Sequence, residues 1–349
     1  MDKKRIAVLH AQVPFTRGGA EHQVQMLTDN LIRRGFDAEL IQIPFKWYPK
    51  NSLLDSMYLW RMIDLSEVNG KTIDMVIPTK FPTYGVNHNN KVMWLIHQHR
   101  AAYDLYDNQS HYGFGTIEYG EEMRLSVQKF DNAVIKESKK IFSESKTVSD
   151  RLIKFNGIES EPLYHPPALT GRYYCGEYGS YILSAGRLDP LKRVDLLINA
   201  LPFCNKAIRL IITGAGSERD ALESLAAKKG VSDRICFAGY VSDDELLKLY
   251  ANSFAVYFAP MDEDYGYITL ESFLSQKPVV TCWDSGGVLE FARHEENALI
   301  CEPLPECIGE AFSRLYDNKA LCKTLGDEGK ALVSIISWDT VVDKLAAYI

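Results

Sequence analysis

The chain has 349 residues, of which 46% are apolar and 24% are charged, and its net charge is −7. This length suits two hydrophobic cores better than one, and the ordinary composition excludes an intrinsically disordered protein. The acidic balance argues against a nucleic-acid partner, which usually requires a basic surplus.

The sequence predicts neither a targeting segment nor a membrane span. The first apolar run, residues 6–9, is too short for the core of a signal peptide, and no stretch approaches the ~20 apolar residues that cross a bilayer. The seven cysteines show neither a C-x-x-C pair nor a zinc spacing. These features predict a cytoplasmic protein with reduced, mostly buried thiols.

Short β-rich runs alternate with helical patterns along the whole chain. In the first part, the pattern predicts strands at residues 5–9, 38–43, 74–77, 92–96 and 140–143 and a helix at residues 20–34. A segment rich in proline and glycine follows at residues 156–180. In the second part, it predicts strands at 181–184, 209–213, 235–238, 255–259 and 279–281, with helices at 194–201, 218–228, 243–251 and 268–275.

This alternation favours parallel sheets with helices on both faces. We therefore predict an α/β protein of two Rossmann-like, doubly wound domains that face each other across a cleft. The predicted bounds are residues 1–165 for the first domain, 166–178 for the linker and 179–335 for the second domain. Ligands of such sheets bind at the carboxyl ends of the strands, so the cleft is the predicted active site.

Two glycine turns of similar type lie between a strand and a helix. The turn Thr16-Arg17-Gly18-Gly19 precedes the first helix, and the turn Gly214-Ala215-Gly216 follows the strand at 209–213. Glycine lets the backbone approach a ligand, and the following helix offers its positive end to an anion. A purely structural β–α turn explains either one equally well.

The turn Gly186-Arg187-Leu188 follows the strand at 181–184, and Lys192 comes soon after it. Two cations at the end of a strand suit a diphosphate, whose charge must be neutralised as it leaves. Solvated surface charges are the alternative, and the shared position at a strand end favours function.

Residues 263–271 connect the strand at 255–259 to the next helix. A loop carboxylate such as Glu263 can accept hydrogen bonds from sugar hydroxyls, and a helix carboxylate such as Glu271 can hold the hydroxyls of a ribose. The string Asp262-Glu263-Asp264 can also bind Mg²⁺ or Mn²⁺. Because Arg187 and Lys192 offer a metal-free way to neutralise phosphate, we predict no metal.

Polar residues follow the strand at 92–96. His97 can bind a sugar hydroxyl or steady developing positive charge, and a structural histidine is an equal alternative.

The aromatic and basic segment 44–50 contains Trp47, which either contacts a lipid-linked or oligosaccharide acceptor or packs in the core. The candidate acceptor residues are Trp47, His99, Arg100 and Tyr103.

As a set, these motifs resemble the GT4 retaining glycosyltransferases of GT-B fold. The motifs that carry the resemblance, in chain order, are Gly18-Gly19-Ala20-Glu21, Gly186-Arg187-Leu188 with Lys192, Gly214-Ala215-Gly216, Glu263-x7-Glu271, Lys277-Pro278-Val279-Val280, Ser285-Gly286-Gly287 and Glu290. Trp338-Asp339 resembles the last helix of that fold, which implies that residues 336–349 cross back to the first domain. Residues 94–104 further resemble a bacterial subgroup associated with surface or exopolysaccharide assembly.

The resemblance implies a role for each motif. Arg187 and Lys192 would hold the diphosphate, Glu271 the ribose and Glu263 the transferred sugar, and His97 matches the active-site histidine of the family. Further donor-binding residues are implied at Gly18, Gly19, Gly186, Gly214, Gly216, Tyr240, Val241, Tyr265, Gly266, Tyr267, Ile268 and Thr269. Family members retain the anomeric configuration and need no metal, so no cofactor is expected.

We therefore predict a hexosyltransferase that moves a sugar from a UDP- or GDP-sugar to a glycan or lipid-linked acceptor in bacterial polysaccharide assembly. Peripheral contact with the inner face of the membrane stays open. The alternatives are a nucleotide-sugar epimerase of the same fold and a non-catalytic sugar-binding subunit. Asp264, Tyr265 and Tyr267 depart from the family pattern and bear on the identity of the donor sugar.

Overall fold

The computed structural model describes residues 3–16, 18–109 and 113–349, so Arg17 of the first glycine turn lies outside the described residues. The chain divides into two compact units. The first unit comprises Met1–Ala168 and Ser337–Ile349, and the second comprises Leu169–Ile336. Each unit is described below by itself.

The first unit is built on parallel strands. Its strands are β1 (Arg5–Gln12), β2 (Asp37–Pro44), β3 (Glu67–Val68), β4 (Lys71–Thr72), β5 (Met75–Pro78), β6 (Val92–Leu95), β7 (Lys140–Ser143) and β8 (Glu161–Pro162). The strands pair in parallel in the orders β2-β1-β5 and β6-β7-β8, and β3 and β4 form a small antiparallel hairpin. An isolated parallel bridge between Lys80 and His97 places the residues that follow β5 beside those that follow β6.

In the part of the first unit that the structure describes, the α-helices that precede the second unit are α1 (Gly19–Arg33), α2 (Lys50–Met62), α3 (Gly120–Val134) and α4 (Lys146–Asn156). Helix α1 buries Val24, Leu27 and Leu31, whose spacing places them on one face of the helix. Helix α4 begins after Ser145, whose side chain accepts a hydrogen bond from a first-turn amide, and it ends at the left-handed Gly157.

The second unit contains one six-stranded parallel sheet. Its elements in chain order are β9 (Tyr181–Ser184), α5 (Val194–Ala200), β10 (Arg209–Thr213), α6 (Arg219–Lys228), β11 (Ile235–Gly239), α7 (Asp243–Asn252), β12 (Ala255–Tyr257), α8 (Tyr267–Leu274), β13 (Val279–Cys282), β14 (Ala298–Cys301), α9 (Pro305–Asp317) and α10 (Lys319–Val333). The strand order is β11-β10-β9-β12-β13-β14. The chain therefore reverses its direction across the sheet between β9 and β12, and such a switch point is where ligands of parallel sheets usually bind.

The last helix, α11 (Trp338–Ala346), belongs to the first unit. Its buried residues Trp338, Val341, Val342 and Leu345 join the core cluster that contains the apolar face of α1 and residues of β1. The first unit thus completes its core with residues from both ends of the described chain.

The predicted strands of both units and the predicted helices are confirmed, with ends that agree to within two residues except at β1, which extends to Gln12. The elements that were not predicted are helices α2, α3, α4, α9 and α10 and strands β3, β4, β8 and β14.

Candidate functional site

Two glycine turns of the second unit pack directly on each other. A Cβ atom at Gly214 would lie 1.9 Å from the carbonyl oxygen of Gly186, and one at Gly216 would lie 2.1 Å from that of Leu188. The amide of Leu188 also donates to the carbonyl of Ala215 at 3.0 Å. The turn after β10 therefore needs glycine at positions 214 and 216 because its backbone touches that of the turn after β9, whatever ligand the two turns bind.

Lys192 and Glu263 meet beside the switch point of the sheet. The Lys192 ammonium lies 2.6 Å from Glu263 Oε2, and the two side chains are only 19% and 22% exposed. The ring of Phe258 lies 5.5 Å from the same ammonium. Arg187, the other predicted cation, is exposed to solvent. The structure therefore pairs the predicted phosphate-binding lysine with the predicted sugar-binding glutamate.

Arg193, next to Lys192, fixes the loops around this pair. Its guanidinium donates to the carbonyls of Ala259 at 2.7 Å and Pro260 at 2.9 Å, and two of its nitrogens contact the Asp284 carboxylate at 2.7 Å each. One side chain thus ties the loop after β9 to the loops after β12 and β13, and the bidentate contact fixes their orientation.

The loop that carries Glu263 is held by its backbone. The amide of Glu263 donates to Ser285 at 3.3 Å, and its carbonyl accepts from Gly287 at 2.8 Å. A Cβ atom at Gly286 would lie 2.6 Å from the Glu263 carbonyl oxygen, and one at Gly287 would lie 2.5 Å from that of Asp264. The glycine pair after β13 therefore lets the two loops approach closely.

Helix α8 begins one residue after a left-handed turn. Gly266 has φ of +89°, a conformation that favours glycine, and the helix starts at Tyr267. Tyr265 is buried, and its ring lies 5.3 Å from Tyr267 and 5.5 Å from Phe291. These two tyrosines, where the sequence departs from the family pattern, pack against each other.

The first turn of α8 faces the turn after β9. The side chain of Ile268 lies 3.1 Å from where a Cβ atom at Gly186 would stand. Thr269 is fully buried, and its amide donates to the Gly266 carbonyl at 3.0 Å. The amino end of α8 and the Gly186 turn are therefore neighbours, as the predicted donor site requires.

Glu271 accepts a hydrogen bond from the Tyr250 hydroxyl at 2.6 Å. Part of the Glu271 side chain is accessible, yet burial raises the pKa of its carboxyl above the usual range, while the Tyr250 hydroxyl opposes that rise. Tyr240, in the turn predicted to face the base, is 88% exposed, and Val241 is half-buried. Both follow directly after β11.

In the first unit, the predicted glycines lie at the start of α1. Gly18 is the residue before the helix, with extended backbone, and Gly19 is the first helical residue. A Cβ atom at Gly18 would lie 3.6 Å from a carboxylate oxygen of Glu21, which is an ordinary van der Waals distance. Close packing therefore does not account for glycine at position 18.

A network of charged side chains that the sequence did not predict lies beside this turn. Glu21 Oε1 lies 3.3 Å from His10 Nε2 and 3.5 Å from the Lys80 ammonium. His10 and Lys80 are buried, which lowers the pKa of each. Burial alone would raise the pKa of Glu21, but His10 and Lys80 lower it to about 2.

The predicted active-site histidine lies close to this network. His97 is half-buried and forms a backbone bridge with Lys80. Its Nδ1 donates to the carbonyl of Gln98 at 2.6 Å, and a positive charge on His97 would lower the pKa of His10. The structure therefore brings His97 near Glu21 and Lys80, whose 59 residues of separation hide this relationship in the sequence.

Trp47, a candidate acceptor residue, lines a cavity of about 510 Å³ in the first unit. Its walls also include Tyr48, Lys50 and Tyr119, of which the two tyrosines are mostly exposed. Trp47 also packs against the hydrophobic core. One part of its side chain therefore belongs to the core, and another part lines the cavity.

The other candidate acceptor residues are held by contacts within the unit. The His99 ring lies 5.1 Å from Phe81 and Phe114, and burial lowers its pKa to about 3. Arg100 donates to Asp104 at 2.7 Å.

Tyr103 is buried, and its hydroxyl contacts the carboxylate of Asp131 at 2.7 Å. Asp131 also accepts from Tyr84 at 2.8 Å, and complete burial raises the pKa of Asp131 to about 7. Tyr103 therefore presents no free hydroxyl in this conformation.

Two absences concern the described residues only. Within them, no group of three or more histidine, cysteine, aspartate or glutamate side chains has the arrangement of a metal site. Over the same part of the chain, no helix is both long enough and apolar enough to cross a membrane.

Residues 177–332 match the family model described as Glycosyl transferases group 1. A GDP-mannose-dependent alpha-(1-6)-phosphatidylinositol monomannoside mannosyltransferase from Mycobacterium tuberculosis is 29% identical over 209 residues, which are 55% of this chain and 54% of that protein. The chain spans about half the length of the curated relatives it matches. These matches support the group 1 glycosyltransferase family.

Solved structures resemble the whole chain. Sucrose-phosphate synthase from Thermosynechococcus elongatus has a TM-score of 0.80 at 16% identity, and the match covers 99% of this chain and 98% of that one. Anabaena HepE, solved in complex with UDP and glucose, has a TM-score of 0.70 at 16% identity with the same coverage. The predicted α/β fold of GT-B type with parallel sheets is confirmed.

Proposed function

We propose that this chain, for which the family model and the relatives support a group 1 glycosyltransferase, transfers a sugar from a UDP- or GDP-sugar to a glycan or lipid-linked acceptor. The observation that carries the proposal is the contact of 2.6 Å between Lys192 and Glu263. A cation for phosphate and a carboxylate for sugar hydroxyls meet at the switch point of a parallel sheet, within the segment that matches the family.

The geometry suits a diphosphate that carries a sugar. An ammonium has three donors, so Lys192 can hold Glu263 and a phosphate oxygen at the same time. Glu263 keeps acceptor capacity for sugar hydroxyls, because an ionised carboxylate offers about four acceptor sites. The amino end of α8 adds backbone amides and a positive dipole end, and exposed Arg187 adds a second cation. Together these groups neutralise the charge that develops on the leaving diphosphate.

We propose transfer with retention of configuration and without a metal ion. In this scheme the acceptor hydroxyl attacks the anomeric carbon on the face that the phosphate leaves, and the leaving phosphate takes its proton. Lys192 and Arg187 supply the positive charge that a metal ion would otherwise provide. Activity that persists in a chelator, with product of the donor's anomeric configuration, is the expected result.

The proposal also covers the acceptor, the biosynthetic role and the cellular location of the protein. The mycobacterial relative is named for a phosphatidylinositol monomannoside, a lipid-linked sugar, which supports a lipid-linked or glycan acceptor here. We propose a role in bacterial polysaccharide assembly and a cytoplasmic location, with a lipid-linked acceptor reached at the inner face of the membrane. The seven cysteines are all free, which suits a reducing compartment.

A thermal-shift panel of nucleoside diphosphates and nucleotide sugars tests the proposal. A ligand that binds only the folded state raises the melting temperature, by an amount that corresponds to about 2.7 kcal/mol at a hundredfold excess over Kd. We expect UDP or GDP and one of its sugars to raise it, and Lys192→Ala to weaken that shift. No shift with any nucleoside diphosphate would contradict the proposal.

A further inference from the structure

The hydrogen bond between Tyr250 and Glu271 joins two helices of the second unit. Tyr250 lies in α7 and is completely buried, whereas Glu271 lies in α8 with part of its side chain accessible. The oxygen atoms are 2.6 Å apart, which is the range of a charge-assisted bond from a hydroxyl to a carboxylate. A fixed donor therefore holds one oxygen of a carboxylate that otherwise reaches solvent.

A second phenol reinforces this arrangement. The ring of Tyr173 stands edge-on to that of Tyr250, with 6.1 Å between the ring centroids. Burial, and after it the charge of Glu271, raise the pKa of the Tyr173 hydroxyl. Tyr173 thus packs against the phenol that donates to Glu271.

Helix α7 links this pair to the turn expected to face the base. Tyr240 and Val241 directly precede Ser242, which begins α7 with a capping box to Glu245. Such a box satisfies amides at the helix start and fixes the entry of the chain. Because Tyr250 lies two turns further along α7, one rigid helix positions both the base turn and the donor to Glu271.

We propose that Tyr250 is a positioning residue for the ribose of the donor, acting by fixing the Glu271 carboxylate. The inference rests on the proposed function and on the role that the family resemblance implies for Glu271, which is to bind the ribose hydroxyls. A free glutamate side chain loses rotamer entropy when it is ordered on binding, and a side chain that is already fixed avoids this loss. With Oε2 held by Tyr250, the ionised carboxylate keeps further acceptor sites for the ribose hydroxyls.

The experiment compares nucleoside diphosphates with and without the two ribose hydroxyls. Isothermal titration measures the Kd of UDP and 2′,3′-dideoxy-UDP, or of the guanosine pair if GDP is the ligand, for the wild-type chain and Tyr250→Phe. We expect the ribonucleotide Kd to rise about tenfold in Tyr250→Phe, since a hydrogen bond to a charged group is worth this much, and the dideoxy Kd to change by less than about twofold.

A matched control is available in the same unit. The hydroxyl of Tyr181 donates to the carbonyl of Leu249 at 2.8 Å, so Tyr181→Phe also removes one phenol hydrogen bond but leaves Glu271 untouched. We expect Tyr181→Phe to leave the ratio of the two Kd values unchanged. In a Glu271→Gln background, Tyr250→Phe should change that ratio little further, because the residue acts through the carboxylate.

Failure of the inference and failure of the proposed function are distinguishable. If no nucleoside diphosphate binds the wild-type chain, the proposed function fails. If one binds, and Tyr250→Phe weakens both members of the pair equally or neither of them, only the positioning role is overturned. Phenylalanine fills the same space as tyrosine, and Tyr250→Met serves as a second variant without the donor if Tyr250→Phe does not fold.

Discussion

Lys192 and Glu263 are 71 residues apart in the chain and form an ion pair of 2.6 Å. They follow β9 and β12, the neighbouring strands at which the sheet order reverses. The pair is therefore a consequence of the topology, since the carboxyl ends of parallel neighbours meet at one edge. Arg193 and Asp284 hold the same loops, so the contact does not depend on the two side chains alone.

Removal of the lysine should abolish most of the transfer. We expect Lys192→Ala to lower kcat/KM by about two to three orders of magnitude, because it removes a preorganised charge from the leaving diphosphate. Steady-state kinetics with the donor found in the thermal-shift panel measures the effect. Lys229→Ala, at an exposed position of the same unit, should leave kcat/KM unchanged, and equal losses in the two variants would contradict the assigned role.

A methyl group at position 214 should disrupt the stacked glycine turns. Gly214 has φ of +101°, and its Cβ would lie 1.9 Å from the Gly186 carbonyl, so Gly214→Ala meets both backbone strain and a steric clash. Gly230, with φ of +68°, has no atom within 4 Å of a Cβ and meets only the strain. We expect Gly230→Ala to cost about 1 kcal/mol of unfolding free energy and Gly214→Ala clearly more. Urea unfolding measures the loss of unfolding free energy in each variant. Similar losses in the two variants would show that the clash at position 214 adds no penalty of its own.

The strand pattern could be predicted because the buried strands are short apolar runs between turn residues, as at β9 and β10. Helix α2 was missed although Leu53, Met57 and Trp60 follow helical spacing, because the segment before it is aromatic and irregular. Helix α3 was missed although Met123, Val127 and Val134 also follow helical spacing, because the charged Asp131 occupies another position of the same face.

The candidate site could be predicted only where residues stand at strand ends or in glycine turns. Lys192 and Glu263 satisfy that rule, although no sequence pattern shows that they touch. The contact between Glu21 and Lys80 depends on how α1 packs beside the residues that follow β5, and the contact between Tyr250 and Glu271 depends on the packing of two helices. A buried tyrosine in a helix is typical of a core residue, so its hydroxyl carries no signal in the sequence.

Loss of the Glu21 carboxylate should leave a buried cation without its partner. Lys80 is buried, so we expect Glu21→Gln to lower the unfolding free energy by about 2 to 4 kcal/mol, which is typical when one partner of a buried ion pair is removed. The double variant Glu21→Gln, Lys80→Met should recover part of this loss, because the unpaired charge is gone. Denaturant unfolding of the wild type, both single variants and the double variant measures the coupling, and strictly additive losses would contradict the pairing.

Asp131 should make stability fall as pH rises. Its pKa is raised by burial to about 7 in the folded chain, whereas an aspartate in the unfolded chain titrates near its ordinary value of 3.8. The folded state therefore holds a proton that the unfolded state releases, and the associated stability is present at low pH and is lost as pH rises towards about 7.

Asp131→Asn removes this titration while keeping the shape of the neutral acid. We expect the unfolding free energy of the wild type, relative to Asp131→Asn, to fall by up to about 4 kcal/mol between about pH 4 and pH 8. Denaturant unfolding of both proteins across this pH range measures the difference in their unfolding free energies. The other titrating groups are the same in both proteins, so their contributions cancel in this difference. A difference that stays constant with pH would mean that Asp131 is ionised throughout.

Helix α11 has a consequence for the order in which the chain acquires its structure. Trp338, Val341 and Leu345 complete a core whose other members, such as Val8 and Leu27, are synthesised more than 300 residues earlier. The second unit is complete in the sequence at Ile336, before any of α11 has been translated. On the ribosome, the amino-terminal unit is therefore the first to be made, but it cannot complete this core until α11 has been synthesised.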